Sequence, residues 1–292
     1  MKILLFGKNG QLGWNIHRTL LPLGEVYTFA SSELNIIQFD KLREVIRRIK
    51  PDVIVNASAY TDVDLAETES DLAMAVNAIA PGIMAEEAYA IKSVLIHFST
   101  DYVFDGKKVG VYNEDDNTNP LNVYGQSKLK GEQSIIQVRG AYIILRTSWV
   151  YSVRGNCFVS KVLRWARNQS ILRVVEDQIG SPTWARTLGD TTSLMLARGG
   201  KDFSPFLNDR TGIYHLGGLG VVSRLEFARE ILRLDPNHGE QVFEHLEPAL
   251  TSDFPTPAVR PLNTAIDCSK FTNVFGLYLP NWKNALSLAL GG

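Results

Sequence analysis

Lys2-Ile3-Leu4-Leu5-Phe6-Gly7-Lys8-Asn9-Gly10-Gln11-Leu12-Gly13 decides the reading of the fold. The apolar run ending at Phe6 has the length and composition of a buried strand, and Gln11 opens a stretch whose apolar residues recur at helical spacing. Between them lie Gly7, Gly10 and Gly13, a GxxGxxG pattern. Glycine at such positions lets the backbone turn sharply and approach a pyrophosphate, whose charge rests on the N–H groups of the helix N-terminus. Three glycines alone describe any tight turn. Their place between a first strand and a first helix makes them candidate dinucleotide contacts.

Outward from this segment, strands and helices alternate. Residues 11–21 read as a helix, 26–29 as a strand, 40–49 as a helix and, after Pro51, 52–56 as a strand. A long helix is predicted over 70–90, a fourth strand over 93–98, a helix over 124–137 and a strand over 142–146. Such alternation implies parallel pairing, because each crossover helix returns the chain to the same end of the sheet. The expected fold is α/β: a Rossmann-like doubly wound parallel sheet with a smaller C-terminal substrate-binding lobe. Residues 1–150 would form the dinucleotide-binding domain, with elements around 171–200 returning to it, and 151–292 mainly the lobe. Within the second half, 158–167 and 223–234 read as helices and 171–175 as a strand. Pro255, Pro257 and Pro261 make 253–261 an extended loop.

The 30 Lys and Arg nearly balance the 31 Asp and Glu, so no basic face for nucleic acid or an anionic membrane is expected. No run approaches the roughly 20 apolar residues of a spanning helix, and the short N-terminal run does not suit a signal peptide. Two distant cysteines, Cys157 and Cys268, fit a reducing compartment, and a cytoplasmic location is expected. His17, His97, His215, His238 and His245 lack metal-ligand spacing, so no metal is expected in the chemistry.

Tyr124-Gly125-Gln126-Ser127-Lys128 places a phenol and an ammonium four residues apart on one helix face. A nearby cation would lower the phenol's pKa toward working pH, where it can exchange a proton with a substrate oxygen. An exposed i,i+4 pair is the plainer reading of YxxxK alone, but this one opens the helix after the fourth strand. At the carboxyl end of that strand stands Phe98-Ser99-Thr100-Asp101, whose Thr100 hydroxyl can reach the same oxygen. Glycine loop, Thr100 and the Tyr124/Lys128 pair thus occur in the order a hydride-transfer site requires. The second strand ends Phe29-Ala30-Ser31-Ser32, without the acid that binds a 2′-hydroxyl and repels a 2′-phosphate. Lys8 offers positive charge nearby, and Glu33 is the residue able to reverse that preference.

These features resemble the extended short-chain dehydrogenase/reductase superfamily. Further blocks are similar to one family within it, the dTDP-4-dehydrorhamnose reductases. They are Pro51-Asp52-Val53-Ile54-Val55-Asn56-Ala57, Ser99-Thr100-Asp101-Tyr102-Val103-Phe104, Pro120-Leu121-Asn122-Val123-Tyr124-Gly125 and Arg146-Thr147-Ser148-Trp149-Val150-Tyr151. Asp177-Gln178-Ile179-Gly180-Ser181-Pro182-Thr183 and Pro255-Thr256-Pro257-Ala258-Val259-Arg260-Pro261 complete the set, which spans nearly the whole chain.

The resemblance implies reduction of the C4 ketone of dTDP-4-dehydro-β-L-rhamnose to dTDP-β-L-rhamnose, the last step of dTDP-L-rhamnose biosynthesis. It implies NADPH as cofactor, with NADH also accepted. Tyr124 would be the proton donor, Lys128 would tune it and hold the nicotinamide ribose, and Thr100 would assist at the same oxygen. Asp101 and Trp149 would contact the sugar nucleotide, and Arg260 its phosphates. Gly10, Gln11, Leu12, Asn35, Ile36, Ala59, Tyr60 and Thr61 would line the cofactor. The chain departs from the family's pattern at Asn35 and Ser58. Related dehydratases carry glutamate where Tyr102 stands, which disfavours elimination. A non-catalytic NADP-binding regulatory subunit and a reductase of another 4-keto sugar nucleotide are the alternatives. Asn15 and Arg186 occupy positions where some relatives place magnesium-bridging carboxylates, so a monomer or weak homodimer is expected.

Overall fold

The computed structural model describes residues 1–200 and 203–291. The first half contains β1 (Lys2–Phe6), α1 (Gln11–Leu20), β2 (Glu25–Phe29), α2 (Phe39–Ile49), β3 (Val53–Asn56), α3 (Ser70–Met74), α4 (Ala80–Ala90), β4 (Val94–Thr100), α5 (Val123–Gln137) and β5 (Tyr142–Thr147). The second half contains β6 (Val150–Tyr151), α6 (Phe158–Ala166), β7 (Ile171–Val175), β8 (Ile179–Gly180), β9 (Thr183–Trp184), α7 (Ala185–Arg198) and α8 (Phe203–Asn208). It continues with β10 (Gly212–His215), β11 (Val222–Ser223), α9 (Arg224–Arg233), β12 (His245–Ala249), α10 (Ser269–Phe275) and α11 (Trp282–Gly291).

Six parallel strands in the order β10-β5-β4-β3-β1-β2 form the central sheet. The strands are almost uniformly apolar because helices cover both faces. On one face Ile3, Leu5, Val55 and Ile96 meet Ile16 and Leu20 of α1, Leu188 and Met195 of α7, and Phe271 of α10. On the other, Leu4, Phe6, Ile54 and Leu95 meet Leu42 and Ile46 of α2 and Met84 and Ala88 of α4. Burial of each such side chain contributes about 1.5–3 kcal/mol. The chain runs outward from β1 to β2 and then back past β1 to β3. Between β1 and β3 the strand order reverses, and the carboxyl ends of these strands open a crevice.

Three differences from the sequence expectation have physical causes. The 70–90 helix is interrupted by a π-helical turn, Ala75–Ile79. Pro81 has no N–H to give the carbonyl four residues back, and the buried Asn77 side chain bonds instead to the Tyr60 backbone N–H and C=O and to Ser127. The fourth strand continues to Thr100, which therefore ends β4 itself. Strand 171–175 does not return to the central sheet: it pairs in parallel with β12. What returns is α7, packed on α1, and β10, which extends the sheet beyond β5. The smaller lobe has its own core, with Val159, Leu172, Leu225, Phe227, Ile231 and Trp282. Among the described residues, no helix is long and apolar enough to cross a membrane.

Candidate active site

A cavity of about 730 Å³ runs from the glycine loop along the strand ends to the smaller lobe. Gly7, Gly10, Gln11, Leu12, Asn35, Ile36, Ala59, Tyr60 and Thr61 line one end of it. Gly7 has φ +88°, and a Cβ there would sit 2.7 Å from the Ser58 nitrogen. Gly13 is absent from the lining: a Cβ on it would come 2.0 Å from the Gly7 carbonyl oxygen, so its glycine is needed for α1 to pack against the glycine loop. Ser31 lines the adjoining wall, and no acid does. The Lys8 ammonium is 2.7 Å from Glu33, whose carboxylate also accepts the Ala30 N–H at 2.6 Å. Glu33 thus folds back onto the strand tip, not onto the cavity, and it neutralises the charge that Lys8 was expected to supply.

Thr100, Asp101, Tyr124, Lys128 and Trp149 lie together toward the other end. Helix α5 starts where it does because Asn122 caps it, accepting the Gly125 N–H at 2.8 Å and donating to the Val259 carbonyl at 2.8 Å. Gly125 lies against the Tyr102 carbonyl with no room for a side chain, so the helix start is pressed onto the end of β4. One turn past Lys128, Glu132 accepts from Ser99 at 2.5 Å and from the Arg146 guanidinium at 2.9 and 2.7 Å. This buried cluster ties α5 to β4 and β5.

Burial pushes the Tyr124 phenol well up from its ordinary pKa, and the Thr100 hydroxyl opposes the rise. Thr100 donates to Asp101 at 3.0 Å, and Ser148 donates to the same carboxylate at 2.7 Å. Desolvation nonetheless raises the pKa of Asp101. The expected lowering of the Tyr124 pKa by Lys128 is not met in this arrangement, because the lysine is turned to other partners. Its Nζ donates to the Phe98 carbonyl at 2.6 Å and lies 3.2 Å from His97 Nε2. Burial pulls Lys128 down to about 8.

The ring beside Lys128 is itself held by a chain of hydrogen bonds. Asn56 Oδ1 accepts the Ser58 backbone N–H at 3.1 Å, which fixes the amide so that Nδ2 donates to His97 Nδ1 at 3.0 Å. Burial and the Lys128 charge hold the His97 ring well below its ordinary pKa, so it stays neutral beside Lys128. Sequence reasoning missed this Ser58–Asn56–His97 chain. The only signal was Asn56 at the end of β3 and a lone histidine inside the otherwise apolar middle of β4.

Trp149 adopts φ +43°, unusual for a side chain of its size, and Gly180 lies so close that a Cβ there would be 2.4 Å from the indole. Arg260 is not in the cavity lining: Asp64 holds its guanidinium at 2.7 Å. Arg224, not foreseen from the sequence, does line the cavity. Gln11 Oε1, Thr147 Oγ1 and Tyr151 Oη are buried without partners, and all three residues line the same space. Positive-φ Gly7 and these waiting polar atoms fit a dinucleotide laid across the strand ends.

The family described as RmlD substrate binding domain matches residues 1–291. The chain belongs to the RmlD family. It is similar to the dTDP-4-dehydrorhamnose reductase of Burkholderia thailandensis, with 38% identity over 99% of this chain and 98% of the relative. Among solved structures, the dTDP-4-dehydrorhamnose reductase of Clostridium acetobutylicum superposes with a TM-score of 0.90 at 32% identity, covering 100% of this chain and 99% of that one. The Bacillus anthracis reductase, solved in complex with NADP, gives 0.87 at 33% identity, covering 99% and 98%. The RmlD assignment covers both lobes, so cavity and family coincide.

Proposed function

We propose that this chain is an NADPH-dependent oxidoreductase that reduces the C4 ketone of dTDP-4-dehydro-β-L-rhamnose to dTDP-β-L-rhamnose. This is the last step of dTDP-L-rhamnose biosynthesis. The observation that carries the reading is one cavity joining a glycine-loop end to a Thr100/Tyr124/Lys128 end, in a chain full-length similar to reductases of that name. The bound nicotinamide dinucleotide supplies the hydride; the protein supplies orientation and the proton.

In this reading the Tyr124 hydroxyl donates its proton to the C4 oxygen as that carbon accepts hydride, so the ketone takes up one hydride and one proton to become an alcohol, and Tyr124 is left as phenolate. The raised pKa suits the task, since the phenol is loaded with its proton at neutral pH. Thr100 hydrogen-bonds the same oxygen. Lys128 holds the cofactor ribose, and Asp101 and Trp149 bound the sugar. Gly7, Gly10, Gln11, Leu12, Asn35, Ile36, Ala59, Tyr60 and Thr61 seat the cofactor. The division of labour follows: residues 1–150, with α7 and β10, carry the cofactor, and the smaller lobe carries the sugar nucleotide.

Incubating the purified chain with NADPH and a panel of 4-keto sugar nucleotides tests the reading. Loss of reduced-nicotinamide absorbance with dTDP-4-dehydro-β-L-rhamnose, and recovery of dTDP-β-L-rhamnose, is expected. Turnover only with another member of the panel, or cofactor binding with no turnover at all, overturns it.

A further inference from the structure

Arg224 opens α9, and its backbone N–H donates to the Gln178 carbonyl at 3.0 Å. Its guanidinium carbon lies 3.5 Å from the centre of the Trp149 ring and 4.7 Å from that of Phe158. Stacking on aromatic faces fixes the plane of the guanidinium and leaves its N–H donors free at the edge. Arg224 takes part in none of the ion pairs or side-chain hydrogen bonds found among the described residues. The contrast with Arg260 is direct: Asp64 has already matched that cation. Burial pulls the Arg224 guanidinium down to about 10, so it remains charged at neutral pH. Asp101 and Tyr102 lie within Coulombic reach of Arg224, but neither makes a direct contact with it, and a desolvated cation without a contact partner is costly unless an anion completes it.

Which anion is decided by place. Arg224 lines the cavity with Asp101, Tyr102 and Trp149 and stacks on rings of the smaller lobe, whereas a cofactor pyrophosphate has the glycine loop and the start of α1 to receive it. On the reading given under Proposed function, on which this rests, the anionic part of the other ligand is the diphosphate of a nucleotide sugar. We infer that Arg224 grips that diphosphate, with Trp149 as the platform that holds the guanidinium edge-on to it. Arg260, assigned to the phosphates from the sequence, is then the lesser partner, because its charge is balanced before substrate arrives.

Calorimetric titration of the free protein with dTDP, thymidine and NADPH tests the assignment in the wild type, Arg224→Gln and Arg224→Lys. Each variant's circular dichroism is recorded to confirm folding. The dTDP Kd is expected to rise about 10- to 100-fold in Arg224→Gln, the loss of a charge-assisted pair, and to recover partly in Arg224→Lys. Thymidine and NADPH affinities stay within about twofold, and in turnover KM rises while kcat holds. Equal dTDP affinity in wild type and Arg224→Gln overturns the Arg224 assignment and leaves the substrate reading standing. A wild type that binds NADPH but not dTDP overturns the substrate reading instead. A fall in NADPH affinity with unchanged dTDP affinity hands Arg224 to the cofactor and overturns the inference.

Discussion

A phenol whose pKa is raised by burial keeps its proton until a stronger base forms beside it, and a ketone oxygen receiving hydride becomes such a base. Tyr124→Phe removes the proton and leaves the ring, so kcat is expected to fall about 10²- to 10⁴-fold, with NADPH affinity unchanged by titration. Near-normal turnover in that variant would remove Tyr124 from the chemistry. A second residue-scale expectation concerns the cofactor. With Lys8 matched by Glu33 and no acid on the Ser31 wall, neither attraction nor repulsion is strong where a 2′-phosphate would lie. Wild type should therefore use NADPH at least as well as NADH, without strict selection. Ser31→Asp should move the kcat/KM ratio toward NADH by about tenfold, the scale of one partly screened charge. A wild type strongly favouring NADH, with a ratio untouched by the new acid, would place the ribose elsewhere. That Tyr124, Lys128 and Thr100 would share one cavity was legible because their spacing and strand-end position carry the signal. Arg224 was not, since an arginine at a helix start looks like any solvated charge until Trp149 and Phe158 are seen beneath it.

Helix α5 is placed by its ends and by one buried ion pair. Glu132 and Arg146 are only 1% and 4% exposed, and neither has water to fall back on. Glu132→Ala leaves the Arg146 guanidinium buried and unpaired, with a loss of stability of about 3–5 kcal/mol expected in denaturant titration. A loss below about 1 kcal/mol would mean that the pair is solvated in solution. The alternation of strands and helices in the first half could be read from periodicity, as could the start of α5. The π-turn at Ala75–Ile79 could not, because helical spacing is nearly blind to one extra residue per turn. The pairing of β7 with β12 was equally hidden. An isolated five-residue strand states its length but not its partner.

At the scale of the whole molecule, buried histidines couple the fold to pH. His215 donates Nδ1–H to the Tyr112 carbonyl at 3.1 Å, while its Nε2 is buried without a partner. Burial and the nearby Arg146 charge depress its pKa from 6.5 to about 3. Since the unfolded chain binds this proton more readily, stability is full above about pH 6.5 and is lost as pH falls toward 3. His97, also held well below its ordinary value, adds to the same slope. The calorimetric melting midpoint should therefore drop across this window, and His215→Gln should flatten the slope. A slope identical to wild type would show that His215 stays neutral in neither state or in both. The doubly wound sheet was foreseen whole except for its last strand, and that exception matters for how the chain is made. β10 closes the sheet by pairing with β5, and Ser193 of α7 donates to the Thr19 carbonyl at the end of α1. A nascent chain released only as far as β5 therefore has an open sheet edge and a bare helix face, and must wait through some seventy further residues for their covers. Final assembly of the central sheet is thus a late event in synthesis, and residues 1–150 cannot be cut free without exposing the seam that the later elements close.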